Sequence, residues 1–252
     1  GIIRRKAPAA MIFSVRIFDA SLVTSGAELV AALRWCIEQR MDVVNLSLGT
    51  TDPACAGTLK SVCRDAVDAG LILVAAEHNI GKPSYPAILK ECIGVAGGRI
   101  LSHFGFRYRP GAAIECVARG DEQRLCWLDP PEILGAGTSF AAPHISGIVA
   151  LIREAAPGAD LERVRAILRE NAAEKTAGWS GRATRRTVAA SPNRVSANGW
   201  IHKAALYPYN KGISRRYEGM GRERSTGVKG AVRKVPIGTD RKACGPRSLD
   251  SR

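Results

Sequence analysis

The sequence predicts an α/β fold, a parallel β-sheet flanked by helices, followed by a basic tail with little capacity to fold. Three observations carry this. Short apolar, β-branched runs alternate with segments of helical period over roughly the first 172 residues. Their order (strand, helix, strand, helix, strand) implies right-handed crossovers and parallel pairing. Charge is also divided unevenly: residues 171–252 hold 18 Lys+Arg against 5 Asp+Glu, whereas the first 170 residues hold 19 against 18. The net charge of +14 therefore belongs to the tail and does not mark the whole chain as a nucleic-acid binder.

The elements follow in order. The opening residues read as strand-like, and residues 11–16 (MIFSVR) as a short buried strand. Ser25-Gly26-Ala27-Glu28 has the Ser-x-x-Glu form of a capping box and opens a helix with Leu29, Leu33, Cys36 and Ile37 on one face. The run from Asp42 to Leu48 (DVVNLSL) suits a strand covered on both sides. Leu59, Val62, Cys63, Ala66 and Val67 recur at helical spacing, and Gly70 supplies the stop. Leu71 to Ala76 and Cys92 to Ala96 read as two further buried strands. After a loop-rich stretch over residues 99–132, Ser139 to Arg153 forms a helix of small residues able to pack closely at the domain centre. Asp160 then caps an amphipathic helix with Leu161, Val164, Ile167 and Leu168 on one face.

Composition sets the outer bounds. Hydrophobic content of 46% and charged content of 24% exclude a wholly disordered chain. The longest apolar run, about Gly70 to Ala76, is far short of the roughly 20 residues of a membrane span. Seven cysteines (Cys36, Cys55, Cys63, Cys92, Cys116, Cys126 and Cys244) are spaced irregularly, without a CxxC pair or Cys/His cluster of zinc type. Cys36 and Cys63 fall on apolar helix faces as buried thiols; Cys55 and Cys92 are either a disulfide pair of a secreted protein or two more thiols. The tail is poor in aliphatics apart from the island Trp200 to Tyr209 (WIHKAALYPY). Its spaced Arg/Lys pairs suit a solvated extension better than a nucleic-acid-binding arm.

The densest chemical signal is Gly137-Thr138-Ser139-Phe140-Ala141-Ala142-Pro143-His144-Ile145-Ser146-Gly147. It places a serine in the first turn of a buried helix, where unpaired N–H groups and the positive end of the dipole favour an oxyanion. Pro143 is expected to be tolerated because it lies near the helix start. This segment resembles the nucleophile motif of the subtilisin-like serine proteases (subtilases), Gly-Thr-Ser-x-Ala-x-Pro-x-x-x-Gly, at every fixed position. Three further stretches resemble the family in the same order. Asp42 to Gly49 (DVVNLSLG) resembles its Ser-Leu-Gly strand, Gly70 to Gly81 (GLILVAAEHNIG) the strand ending in its oxyanion asparagine, and Ser84-Tyr85-Pro86-Ala87 its Tyr-Pro-Ala turn. With Gly1 to Asp19 resembling the preceding strand, the likeness covers about residues 1–172.

The resemblance implies a serine endopeptidase with Ser139 as nucleophile and Asn79 as side-chain oxyanion donor. It implies a peptide or protein substrate laid as an added strand along Ser47, Leu48 and Gly49, with Ala76 and His78 also at the substrate site. No cofactor or metal is implied. Tyr85–Pro86 is expected to be cis.

Two departures bear on activity. The family usually has Ala-Gly before the asparagine, where this chain has Glu77-His78; His78 is expected to narrow the primary pocket or add a titratable wall to it. The family also carries its catalytic aspartate in Asp-Ser/Thr-Gly and its histidine in His-Gly-Thr, both upstream of the segment that residues 1–19 resemble. Neither motif occurs in the 252 residues, whose histidines are His78, His103, His144 and His202. His144 is expected to be structural. Asp19 and Asp42 lack the aspartate motif. The expectation is an N-terminally incomplete catalytic domain over 1–172 and a low-order extension over 173–252, inactive on its own. On this reading a missing N-terminal segment of the same protease domain supplies both residues; the alternatives are a peptide-binding pseudoprotease or a domain completed by another chain.

Overall fold

The computed structural model describes residues 1–19, 23–127 and 130–175. The island at 200–209, Cys244 and the rest of the basic tail lie outside them.

A six-stranded sheet organises the chain. Its strands are β1 (Val43–Leu46), β2 (Ile72–Ala76), β3 (Cys92–Gly98), β4 (Arg107–Tyr108), β5 (Cys116–Arg119) and β8 (Glu174–Lys175), in the order β1-β2-β3-β5-β4-β8. Pairing is parallel except between β4 and β5. Strands β6 (Gln123–Cys126) and β7 (Glu132–Gly135) form a separate antiparallel ribbon.

Both faces of the sheet are covered, which explains the uninterrupted burial of β2. Its Ile72, Val74 and Ala76 face one core with Ile93, Val95, Ile145, Val149, Val164 and Leu168. Leu73 and Ala75 face the other, with Leu29, Leu33, Leu59, Val62 and Cys63. The first core is closed by α4 (Thr138–Ala155) and α5 (Leu161–Asn171), the second by α2 (Gly26–Glu38) and α3 (Ala56–Asp68). Each fully buried Leu, Ile or Val contributes about 1.5–3 kcal/mol.

The helix signals form as expected. Ser25 Oγ accepts from the Glu28 N–H while Glu28 Oε2 accepts from the Ser25 N–H, completing the capping box. Gly70 follows α3 at φ +87°, and Asp160 caps α5 through the Arg163 N–H. Tyr85–Pro86 is cis. Arg165 ties α5 to the sheet by pairing with the buried Glu115, at 3.0 Å, and by donating to the Lys90 and Cys92 carbonyls.

The N-terminal expectations fail. Residues 2–6 form a short helix, α1 (Ile2–Lys6), packed on α4, rather than strand-like chain. Residues 11–16 are not a buried strand: Met11 is 84% exposed, and Ile12 and Phe13 are 40% exposed. Their pattern suits a strand, but a strand needs a neighbour for its backbone groups, and among the described strands β1 pairs only with β2. The stretch 99–132 is also less loop-like than expected, since it holds β4, β5 and β6. All six described cysteines are free thiols, so Cys55 and Cys92 are not paired; Cys92 Sγ instead lies 3.9 Å from Cys63 Sγ.

Candidate active site

The site is built where α4 begins, beneath the C-terminal ends of β1 and β2. Gly137 precedes the helix at φ +134°, a conformation that strains any other L-residue, and its N–H donates to the Gly120 carbonyl at 2.8 Å. Thr138 and Ser139 are the first two helical residues. N–H groups of a first turn have no acceptor within the helix. The Thr138 N–H donates to Asn79 Oδ1 at 3.0 Å, and Thr138 Oγ1 donates to the same oxygen at 2.9 Å. Both bonds engage the amide carbonyl of Asn79 and leave Nδ2 as its donor. Thr138 is thus a contributor that the sequence reasoning missed; its place beside the serine was the available signal.

A second set of bonds holds the Ser139 turn from behind. The carbonyl of Ser139 would normally accept from the N–H of residue 143, but residue 143 is proline. The Ser47 hydroxyl takes that role and donates to the Ser139 carbonyl at 2.8 Å. Ser47 Oγ in turn accepts from Asn45 Nδ2 at 3.0 Å, and Asn45 Oδ1 accepts from Ser146 Oγ at 2.8 Å. Pro143 therefore sits inside the helix, at its sixth residue. Nearness to the helix start is not what accommodates it; a side chain from the neighbouring strand end replaces the lost donor.

The cleft beside this turn is lined by Ser47, Leu48, Gly49, Ala76, Glu77, His78, Asn79, Ser84, Thr138 and Ser139. All seven residues singled out in the sequence therefore meet in one place, joined by Glu77, Ser84 and Thr138. Residues 47–49 run outside any strand, while Thr50 and Tyr85 exchange backbone bonds of 2.8 Å that pin the next residue to the cis-proline turn. Burial raises the Glu77 carboxyl above the usual range, against the opposing charge of Arg109. Burial, with the Lys82 charge, lowers the pKa of His78.

Comparison with known proteins decides the family. A sequence model described as the subtilase family matches residues 2–200. The chain belongs to the subtilase family. It is 31% identical over 168 residues to the minor extracellular protease Epr of Bacillus subtilis (strain 168), covering 66% of this chain and 26% of that protein. It is 29% identical over 168 residues to Subtilisin Savinase of Lederbergia lenta, covering 66% of this chain and 62% of that protein. A solved cold-adapted subtilisin-like serine proteinase shares the fold at a TM-score of 0.51 and 20% identity, covering 62% of this chain and 57% of that one. The chain thus spans less than two thirds of each of these relatives.

Within this subtilase chain, the other described histidines and candidate aspartates stand apart from the cleft. His144 is buried in α4, with Nε2 2.9 Å from Gln123 Oε1; burial, reinforced by Lys6 and Arg119, lowers its pKa to about 3. His103 is exposed and stacks edge-on against Phe104. Asp19 accepts from the Val23 N–H, and Asp42 pairs with Arg153 at 3.1 Å. His78 is the one histidine among the residues lining the cleft. Its Nδ1 accepts from the Ile80 N–H at 3.1 Å, so the neutral ring carries its proton on Nε2 and has no lone pair left to take one from Ser139.

Proposed function

We propose that this chain is the nucleophile-bearing part of a serine endopeptidase of the subtilase type. Ser139 Oγ attacks the peptide carbonyl, and the oxyanion that forms is held by the Ser139 N–H and Asn79 Nδ2. Collapse breaks the C–N bond, the leaving amine takes a proton from the base, and water hydrolyses the acyl-enzyme. Substrate lies extended along Ser47-Leu48-Gly49, with Ala76 and His78 at its side. The observation that carries this reading is the double hydrogen bond from Thr138 to Asn79 Oδ1, which fixes the amide donor next to the serine turn.

The base and the carboxylate that orients it come from a segment outside these 252 residues. Two features support this: the edge of β1 with no described partner, and the exposed apolar residues 11–13. Without a histidine, turnover falls by about 10⁶, the magnitude known for subtilisin itself. The chain alone is therefore practically inactive. The absence of His-Gly-Thr and Asp-Ser/Thr-Gly from the sequence is the observation behind the runner-up reading, a peptide-binding pseudoprotease.

Labelling with an active-site fluorophosphonate separates the two. The chain is tested alone and after addition of a separately expressed subtilase segment carrying both motifs. The protease reading expects an adduct on Ser139 with the segment present, lost in Ser139→Ala. Peptide binding with no adduct under either condition supports the pseudoprotease.

A further inference from the structure

Two thiols with no part in the cleft meet inside the second core. Cys63 stands on α3 and Cys92 opens β3. Their sulfurs lie 3.9 Å apart although the residues are 29 positions apart in the chain, and the two are 0% and 1% exposed. We infer that Cys63 and Cys92 are a disulfide-forming pair, oxidised by a low-molecular-weight disulfide such as glutathione disulfide, and that their bond closes a loop around the segment carrying Asn79.

Helix geometry selects this pair. Cys55 is the N-cap of α3, with its thiol 3.9 Å from Asp52 Oδ2, and about two turns of helix separate it from Cys63. The start of β3 meets the helix at Cys63, so the partner of Cys92 is Cys63 rather than Cys55. A disulfide is about 2.05 Å long, so each sulfur has to move about 1 Å, which a small χ1 rotation supplies.

The surroundings suit the product. Both sulfurs lie in the core with Leu59, Val62, Ala66 and Leu73, and the hydrogen bond to Cys63, with burial, holds the Cys92 thiol well above the usual thiol range. A thiolate is therefore disfavoured in the native protein, whereas a disulfide is neutral and leaves no buried polar group without a partner. Exchange begins when the chain opens. One cysteine thiolate attacks glutathione disulfide and expels a glutathione thiolate; the other then attacks the mixed disulfide and expels the second. The two cysteine protons pass to the two glutathiones, and the protein pair is oxidised by two electrons as glutathione disulfide is reduced. Refolding buries the new bond away from reducing thiols. The loop it closes holds β2, Asn79 and Ser84, and restraining that loop in the unfolded chain stabilises the native one.

The test uses the full chain. It is brought to equilibrium with mixtures of reduced and oxidised glutathione, in buffer and in concentrated urea, starting from both the reduced and the oxidised protein. After alkylation of the remaining thiols, trypsin releases Cys63 in residues 61–64 and Cys92 in residues 91–99, so the linked pair is read by mass as the two peptides less two hydrogens. The equilibrium constant for this linkage is expected to be at least about tenfold larger in buffer than in urea, where the two thiols meet only by random loop closure. The urea midpoint of the oxidised chain should also exceed that of the reduced chain, and the gap should vanish in Cys63→Ala and in Cys92→Ala. Equal linkage in buffer and urea, or no linked pair in the folded chain, overturns the pairing. A midpoint gap that survives in both variants assigns the gain to other cysteines and overturns the loop-closing role.

Discussion

The bond from Ser47 to the Ser139 carbonyl predicts a coupling that can be measured without any activity. Ser47→Ala removes the hydroxyl that donates to Ser139 at 2.8 Å and accepts from Asn45 at 3.0 Å. Pro143 has no N–H to take over, so the Ser139 carbonyl is left without its donor. An orphaned polar group costs about 1–3 kcal/mol when buried. Ser47 is half-buried and water has partial access, so the expected loss is toward the low end, about 1–2 kcal/mol. Pro143→Ala restores an N–H in helical position to the same carbonyl. In that background Ser47→Ala should cost about 1 kcal/mol less than in the unchanged chain. Urea unfolding of the four proteins in the cycle, followed by circular dichroism, reads the difference. If the two substitutions add to within about 0.3–0.5 kcal/mol, they act independently and the replacement of one donor by the other is refuted.

Three other outcomes follow from the same coordinates. His144 binds its proton in the unfolded chain near 6.5 and in the native protein only near about 3, so its contribution is complete above 6.5 and drains away as pH falls toward 3. Between pH 7 and pH 5 this single group should remove about 2 kcal/mol of stability, seen as a shallower pH dependence of urea unfolding in His144→Gln. Gly137→Ala forces a Cβ onto φ +134° and should cost about 1–3 kcal/mol, checked by the urea midpoint; an unchanged midpoint contradicts the strain. Asn79→Asp keeps the oxygen that accepts both bonds from Thr138 but loses the amide donor. Stability should hold while the labelling rate of the complemented enzyme drops about 10²–10³-fold, the loss known for removing that donor from subtilisin; retained labelling removes Asn79 from the oxyanion site.

Much of the fold was legible because local chemistry and tertiary need agree. The Ser25–Glu28 box, the Gly70 stop and the Asp160 cap are each satisfied within a few residues of chain, so their patterns mean the same thing in isolation as in the protein. The run LILVAA at 71–76 could be read because a strand covered on both faces has no polar side to interrupt it. The short strands β4 to β7 were not legible, since two to four residues carry too little period to register. Residues 11–16 misled for the opposite reason: the period is present, but pairing depends on a neighbour that the pattern does not encode.

At the site, the division is sharper. The sequence by itself determined the family, the serine at a helix start, and the residues that would meet there, because each is fixed by its place in a local motif. The tertiary structure decided how they are held. Only the packing of α4 against β1 brings Ser47 from 92 positions away to the carbonyl that Pro143 leaves unserved. Only the approach of Asn79 to the Thr138 turn engages its carbonyl and leaves its amide as the donor. A motif names the donors and acceptors; hydrogen bonds reach only about 3 Å, so which donor finds which acceptor is settled by the fold alone.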